Sequence, residues 1–253
     1  MMFEQLFLFG FVAIGGYFLF SGGRKLSTVF HILRNDPLAV TELHGHRGPV
    51  EIEGRATESD AGTVTAPFTG ASCLAYTYQV DEKDGKSWKT LDEGMGGADF
   101  VVDDGSGRVR VDPTGADVRL TSHSVTVPAG SELPDRLATY VESTDGVDPP
   151  NRSVDLLLTD VTVGNRQRFT ERRLDSGDEA YVYGEAAQGP STEWGSSLVD
   201  AQIEAGEQTP VFVISDTDER GTAWRIARGS LFELGFGLFL LGSIGASLIN
   251  AGL

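Results

Sequence analysis

Three groups of residues in this sequence have types and spacings that chemistry uses. The first is VVDDGSGRVRVDP, Val101 to Pro113, where two aspartates precede a Gly-Ser-Gly. Paired carboxylates suit a calcium ion, and a glycine-rich loop suits a phosphate. An EF-hand loop needs oxygen ligands at positions 1, 3 and 5, glycine at 6 and glutamate at 12. Asp103 and Asp104 are adjacent, so on an extended chain they point to opposite sides. A phosphate loop needs Gly-Lys-Ser/Thr opening a helix, whereas Gly107 is followed by the alternating RVRVD. The stretch therefore reads as a hairpin, with Asp104 and Gly105 supplying positive φ angles at the turn.

The second group is the pair His44 and His46 in LHGHRG, which on a strand would share one face and are weak candidates to ligate a metal. No third ligand lies nearby in sequence, so a solvated loop is the expected state. The third is Cys73 in TGASCLAY, with His123 as the base that a nucleophilic thiol would need. An unpaired cysteine is more often a small core residue. The sequence holds no G-x-S-x-G, no dinucleotide fingerprint and no H-E-x-x-H. No catalytic residue, metal or cofactor is expected.

The elements that position these groups follow from periodicity. Between Pro49 and Asp216 the runs VEIEGRA, CLAYTYQV, DFVVDDGSGRVRVDP, SVTVPAG, RSVDLLLTDVTVG, EAYVYGEA and TPVFVISD alternate with period two between Gly, Pro, Asn and Asp. They predict a mainly β domain, an antiparallel sheet or partly closed barrel. Two segments, LPDRLATYVEST and LVDAQIEAGEQ, read as short helices. A weak internal echo links GPVEIEGRA, Gly48 to Ala56, with DEAYVYGEA, Asp178 to Ala186, and suggests two related strands at a barrel seam.

The two ends are apolar. Residues Gln5 to Gly23 carry no charge, nor do Leu234 to Leu253, and each run spans roughly 30 Å as a helix. The first lacks the basic leader and A-x-A site of a cleaved signal peptide. Two transmembrane helices are expected, at 1–23 and 231–253. Gly242 with Ala246 and Ser243 with Ser247 put small residues four apart, where a second helix can approach closely. Arg24, Lys25 and Arg34 follow the first span and Arg225 and Arg228 precede the second, while the outer tails have no Lys or Arg. That bias places the intervening domain in the cytoplasm of a two-span cell-membrane protein. Leu26, Val29, Phe30 and Leu33 share a helical face, so 24–36 reads as a juxtamembrane amphipathic helix, or equally as a cytoplasmic extension of the first span. The β domain then occupies 37–221 and a basic juxtamembrane segment 222–230.

Taken in order, GPVEIEGRA, APFTGASCLAYTYQV with Trp88 after it, FVVDDGSGRVRVDPTGADV, RFTERRLDSGDEAYVYGEA and FVISD before an apolar end resemble the GIDE domain family. That domain lies beside the membrane in mitochondrial RING-type ubiquitin ligases and occurs in archaeal and bacterial membrane proteins. The resemblance covers nearly the whole chain and implies a β domain between two membrane helices. The eukaryotic members carry a RING after the second span. Eight Cys or His ligands hold the two zinc ions of a RING, against one Cys and four His in this chain. Ligase activity is therefore not expected of it.

Composition sets the remaining bounds. The net charge is −17, with four lysines, sixteen arginines and twenty aspartates among 253 residues. Such a chain repels nucleic-acid phosphates. Its self-repulsion is tolerable in molar salt, where screening acts within about 3 Å, which points to a halophilic host. The expected function is a membrane-anchored, non-catalytic interaction or scaffold module, with a lipid- or small-molecule-binding barrel as the alternative. Its expected partners are the bilayer, a membrane or cytoplasmic protein, and a second copy of itself. The charge yields a first prediction: the segment Pro37 to Gly221 folds in molar KCl and loses its strand circular dichroism as salt falls. A spectrum unchanged down to about 0.1 M, where the screening length reaches roughly 10 Å, contradicts the halophilic reading.

Overall fold

The computed structural model describes residues 10, 12–23, 37–151, 153–156, 159–162, 164–189, 198–209, 211–216 and 230–243. They divide into two units, Leu38–Asp216 and the two ends of the chain.

The larger unit is built on one long strand. In β1 (Gly48–Glu58), Val50, Ile52 and Ala56 enter the main core. The strand pairs antiparallel on one side with β13 (Glu179–Gln188), from Gly48↔Ala186 to Arg55↔Glu179, and on the other with β6 (Phe100–Asp103). The hairpin mate of β6 is β7 (Arg108–Val111), which runs parallel to β14 (Leu198–Glu204), and β14 returns antiparallel to β13. The circuit β1-β6-β7-β14-β13-β1 is closed. Numbered along the chain, the five barrel strands follow the order 1-2-3-5-4-1, the connectivity of an OB-type barrel. Val102, Val109, Val111, Val182 and Ile203 fill its interior, as a barrel this narrow requires. Beyond β13 the sheet continues through β15 (Val213–Ser215) to β8 (Asp117–Arg119), which adds Ile214 and Val118 to the same core.

Two connections leave this barrel and meet. Residues 59–99 form the small hairpin β2 (Val64–Thr65) and β3 (Ser72–Cys73), then the long hairpin β4 (Ala75–Asp84) and β5 (Ser87–Gly97). Residues 112–178 contain β8, β9 (Ser122–Val127), the helix α1 (Asp135–Ser143), the hairpin β10 (Ser153–Leu156) and β11 (Thr159–Thr162), and β12 (Gln167–Leu174). β12 inserts between β4 and β9, giving a second sheet ordered β5-β4-β12-β9. Leu137 and Val141, one turn apart on α1, close a second core with Phe68, Val80, Val127 and Phe169.

The mainly β class, a barrel and the helix within LPDRLATYVEST agree with the sequence reading, but the circuit is closed rather than partly closed. The expected antiparallel pairing is corrected at two ladders, β7–β14 and β8–β15, which are parallel because each pair is separated by a connection long enough for the chain to return in the same direction. The two echoing segments pair with one another residue for residue, and their ladder is the barrel seam. One expected helix is corrected: LVDAQIEAGEQ contributes β14, a strand. Its Ala, Gln and Glu favour a helix intrinsically, but Ala201 and Ile203 alternate into the core and both backbone edges are used by β7 and β13.

The second unit contains helical backbone at 12–23 and 230–243. The two helices run antiparallel. Phe18 meets Phe236 edge-on with centroids 5.1 Å apart, and Ser21 Oγ donates to Glu233 Oε2 at 3.0 Å. The small residues that permit this approach are Gly15, Gly22 and Gly237. A Cβ on Gly22 would lie 2.8 Å from the Leu234 side chain, and one on Gly237 would lie 3.0 Å from the Gly15 carbonyl. The expected contact residues Gly242 and Ser243 are instead exposed, with open space beside Gly242. They fall on the helix face turned away from the partner; Ala246 and Ser247 lie outside the described residues. So do the segment 24–36 and Arg24, Lys25, Arg34, Arg225 and Arg228. Among the described residues no helix is long and apolar enough to cross a membrane.

Candidate functional site

The aspartate loop joins β6 to β7 as a four-residue turn from Asp104 to Gly107. Gly105 supplies the positive φ, at 83°, while Asp104 acts through its side chain. Its carboxylate accepts from the amides of Ser106 and Gly107 at 2.8 and 3.0 Å and from Ser106 Oγ. It also accepts from the Val40 amide at 2.8 Å, and so fastens the 3-10 turn Val40–Leu43 to the barrel. Burial opposes ionisation of Asp104, yet the Val40, Ser106 and Gly107 donors together outweigh it and hold its carboxyl below the ordinary 3.8. With its oxygens filled by protein donors, this loop is a structural turn.

His44 and His46 do not sit on a strand as the metal reading required. They follow the 3-10 turn, where the chain reverses before β1. His44 is 76% exposed and its Nδ1 lies 2.9 Å from Asp200 Oδ1, while the amide of His46 donates to the Leu43 carbonyl. Among the described residues no three His, Cys, Asp or Glu side chains are grouped to hold a metal. Cys73 is fully buried, its sulfur 3.7 Å from the Val64 carbonyl. Burial, reinforced by the charge of Asp175, pushes its thiol up to about 11, so it stays protonated and unreactive at neutral pH. His123 lies exposed on β9, opposite Glu171.

The densest polar cluster was not read from the sequence. Glu171 on β12 is 3% exposed and reaches the loop before β3. One oxygen accepts from the Phe68 amide at 2.8 Å and the Thr69 amide at 3.2 Å, and the other from Thr69 Oγ1 at 2.6 Å. Arg173 supports the second oxygen at 3.3 Å while holding Asp175 through Nε and NH2. The backbone so fixed presents Phe68 edge-on to Tyr78, Tyr140 and Phe169, with centroids 4.9 to 5.6 Å apart. Tyr140 donates its hydroxyl to Asp92, and burial followed by that bond raises its pKa. Opposite, Gly94 and Gly96 leave room for the rings of Tyr78 and Tyr76; a Cβ there would come within 2.8 and 2.6 Å of ring atoms. Across the β4–β12 ladder, Asp81 is 4% exposed and takes Arg168 through two nitrogens, with Gln79 and Thr90 as further donors. The same guanidinium lies 4.4 Å over the ring of Trp88.

The arrangement is a set of latches. Asp81, Asp104 and Glu171 are each surrounded by donors from their own chain, and the Glu171 latch joins the APFTG and TERRLDSGD segments that carry the GIDE resemblance. The signal for it in the sequence was Thr-Gly in the first segment and the charged alternation of the second. No family model matches the chain, and neither a curated protein nor a solved structure matches it.

Two predictions follow from the latch and the turn. Glu171→Gln replaces an acceptor facing Thr69 and Arg173 by a donor, and costs about 2 kcal/mol. Thermal unfolding in molar KCl should drop by about 4–8 °C for a domain of this size; an unchanged midpoint removes the latch from the account. Asp104 is depressed in the folded state, so its contribution is complete above 3.8 and is lost as pH falls through its folded value. Urea titrations of Asp104→Asn should therefore show a shallower loss of stability below about pH 4 than wild type. Parallel profiles in that window contradict the assignment.

Proposed function

We propose that the protein is a two-span membrane-anchored module whose β domain serves, without catalysis, as a scaffold or docking platform on the cytoplasmic side. The observation that carries this reading is the surface of the helix pair. Val12, Ile14, Tyr17, Phe20, Leu231, Phe232, Leu238 and Phe239 are all exposed, and the charge of Glu233 is met by Ser21 within the pair. Water does not reward a helical hairpin whose outer surface is phenylalanine and leucine, whereas hydrocarbon does. The uncharged sequence runs on beyond both described helices, from Gln5 and to Leu253. The filled barrel interior favours a platform over a lipid- or small-molecule-binding barrel. Carboxylates saturated by their own chain favour positioning over turnover. The GIDE resemblance is consistent with this reading, as the membrane-side part of such proteins without a RING.

Membrane fractionation tests it. The full chain should remain in the pellet after washes with molar salt and alkaline carbonate and be released only by detergent. Reporter fusions at both termini should read outside. Release by salt or carbonate alone, or two cytoplasmic termini, overturns the anchored topology.

A further inference from the structure

The free edge of the second sheet is β9, and it lacks the devices by which edge strands avoid one another. The opposite edge, β5, has them: a register shift against β4 at Val80/Asp81, charged Lys89, Asp92 and Glu93, and glycines at 94, 96 and 97. β9 is a regular six-residue strand, SHSVTV, with no Asp, Glu, Lys or Arg from Leu120 to Ser131. Ser122 to Thr126 are all exposed, and Val125, a β-branched residue at the strand's centre, is 52% exposed. Its inner edge is paired with β12 throughout. Its two ends are tied down, by Thr121 donating to Asp216 at 2.6 Å and Gly130 donating to the Pro150 carbonyl at 2.8 Å. Between those ties the outward amides and carbonyls have no partner among the described residues.

We propose that β9 pairs antiparallel with β9 of a second copy of this chain, joining two four-stranded sheets into one of eight. The occupant follows from charge. Molar salt screens the long-range repulsion of a chain of net charge −17, but copies meeting on the acidic surface would still oppose carboxylates in contact, within about 3 Å; a strand without formal charge is where two copies meet with none opposed. A partner of different sequence would place no such demand on the edge. The symmetry also fits. A two-fold axis perpendicular to the sheet keeps opposed residues on one face, so the register is centred on a residue. Centred on Val125, it sets Val125 against Val125, Ser124 against Thr126 and His123 against Val127. The exposed valines then cover each other, and the Ser and Thr hydroxyls, already linked to β12 by Ser124 and Thr170 at 2.9 Å, continue across the joint. The inference does not rest on the membrane reading.

The test uses the full chain in detergent and molar KCl. Light scattering should give a protein mass of two chains. Because Cys73 is buried, engineered thiols report alone. Val125→Cys should form a disulfide-linked dimer on mild oxidation, and Lys89→Cys on β5 should not. Val125→Lys opposes two like charges and should raise the dissociation constant about tenfold or more with an unchanged circular dichroism spectrum. A single-chain mass at every concentration overturns the proposal, and would leave the edge to a different polypeptide. Equal crosslinking at Lys89, or a dimer indifferent to Val125→Lys as one held by the helices would be, overturns it equally.

Discussion

The ladder between β1 and β13 is the constraint on which the larger unit depends. It joins residues 124 apart, Arg55 and Glu179, and it alone turns an open run of strands into a closed circuit. Closure gives each of the five barrel strands a neighbour on both sides, and it forces their alternating side chains into one small interior. Gly54 shows how tightly the curvature is drawn: its absent Cβ would stand 2.5 Å from the Asp103 carbonyl, at the place where β1 passes from β13 to β6.

The second sheet inherits its geometry from that closure. Its two halves are the connections between barrel strands, so the barrel sets where β4 and β12 begin, and Glu171 sets how they lock. A buried carboxylate that organises two amides and a hydroxyl is stable only because all its partners are present at once. This explains why polar, charged residues occur in the middle of β12 while Phe169 beside them is 2% exposed. Among the described residues, two of the buried carboxylates, Asp81 and Glu171, thus lie where the insertions join, while the third, Glu51, lies on the barrel strand β1.

What could be read in advance follows from the range of each interaction. β1, β6, β7 and β13 were legible because Val50, Ile52, Val102, Val109 and Val182 alternate with polar residues along the chain itself. β5 and β12 were not, because their inward positions hold Gly94 and Gly96 under tyrosine rings and Glu171 under a loop. Those choices make sense only beside residues from elsewhere; the Glu171 to Phe68 bond spans 103 positions. β14 was misread for the complementary reason, a helical composition held extended by ladders on both sides. In the helix pair the glycines were visible, but which of them faced the other helix depended on the rotation of both.

The seam also has a consequence in time. On the ribosome β1 emerges first, and its barrel neighbour β13 follows 124 residues later at the seam's end. At about 5–20 residues per second, β1 waits roughly 6–25 s with one side unpaired. Its first available mate is β6, but their ladder covers only Arg55 to Glu58, so Gly48 to Gly54 stay open through that interval. The sequence of that open part, GPVEIEG, carries a proline second and two glutamates between its apolar positions. Both are residues that discourage one nascent strand from templating on another. The pattern that alternates for the sake of the finished barrel thus also protects the chain on a crowded polysome before the barrel exists.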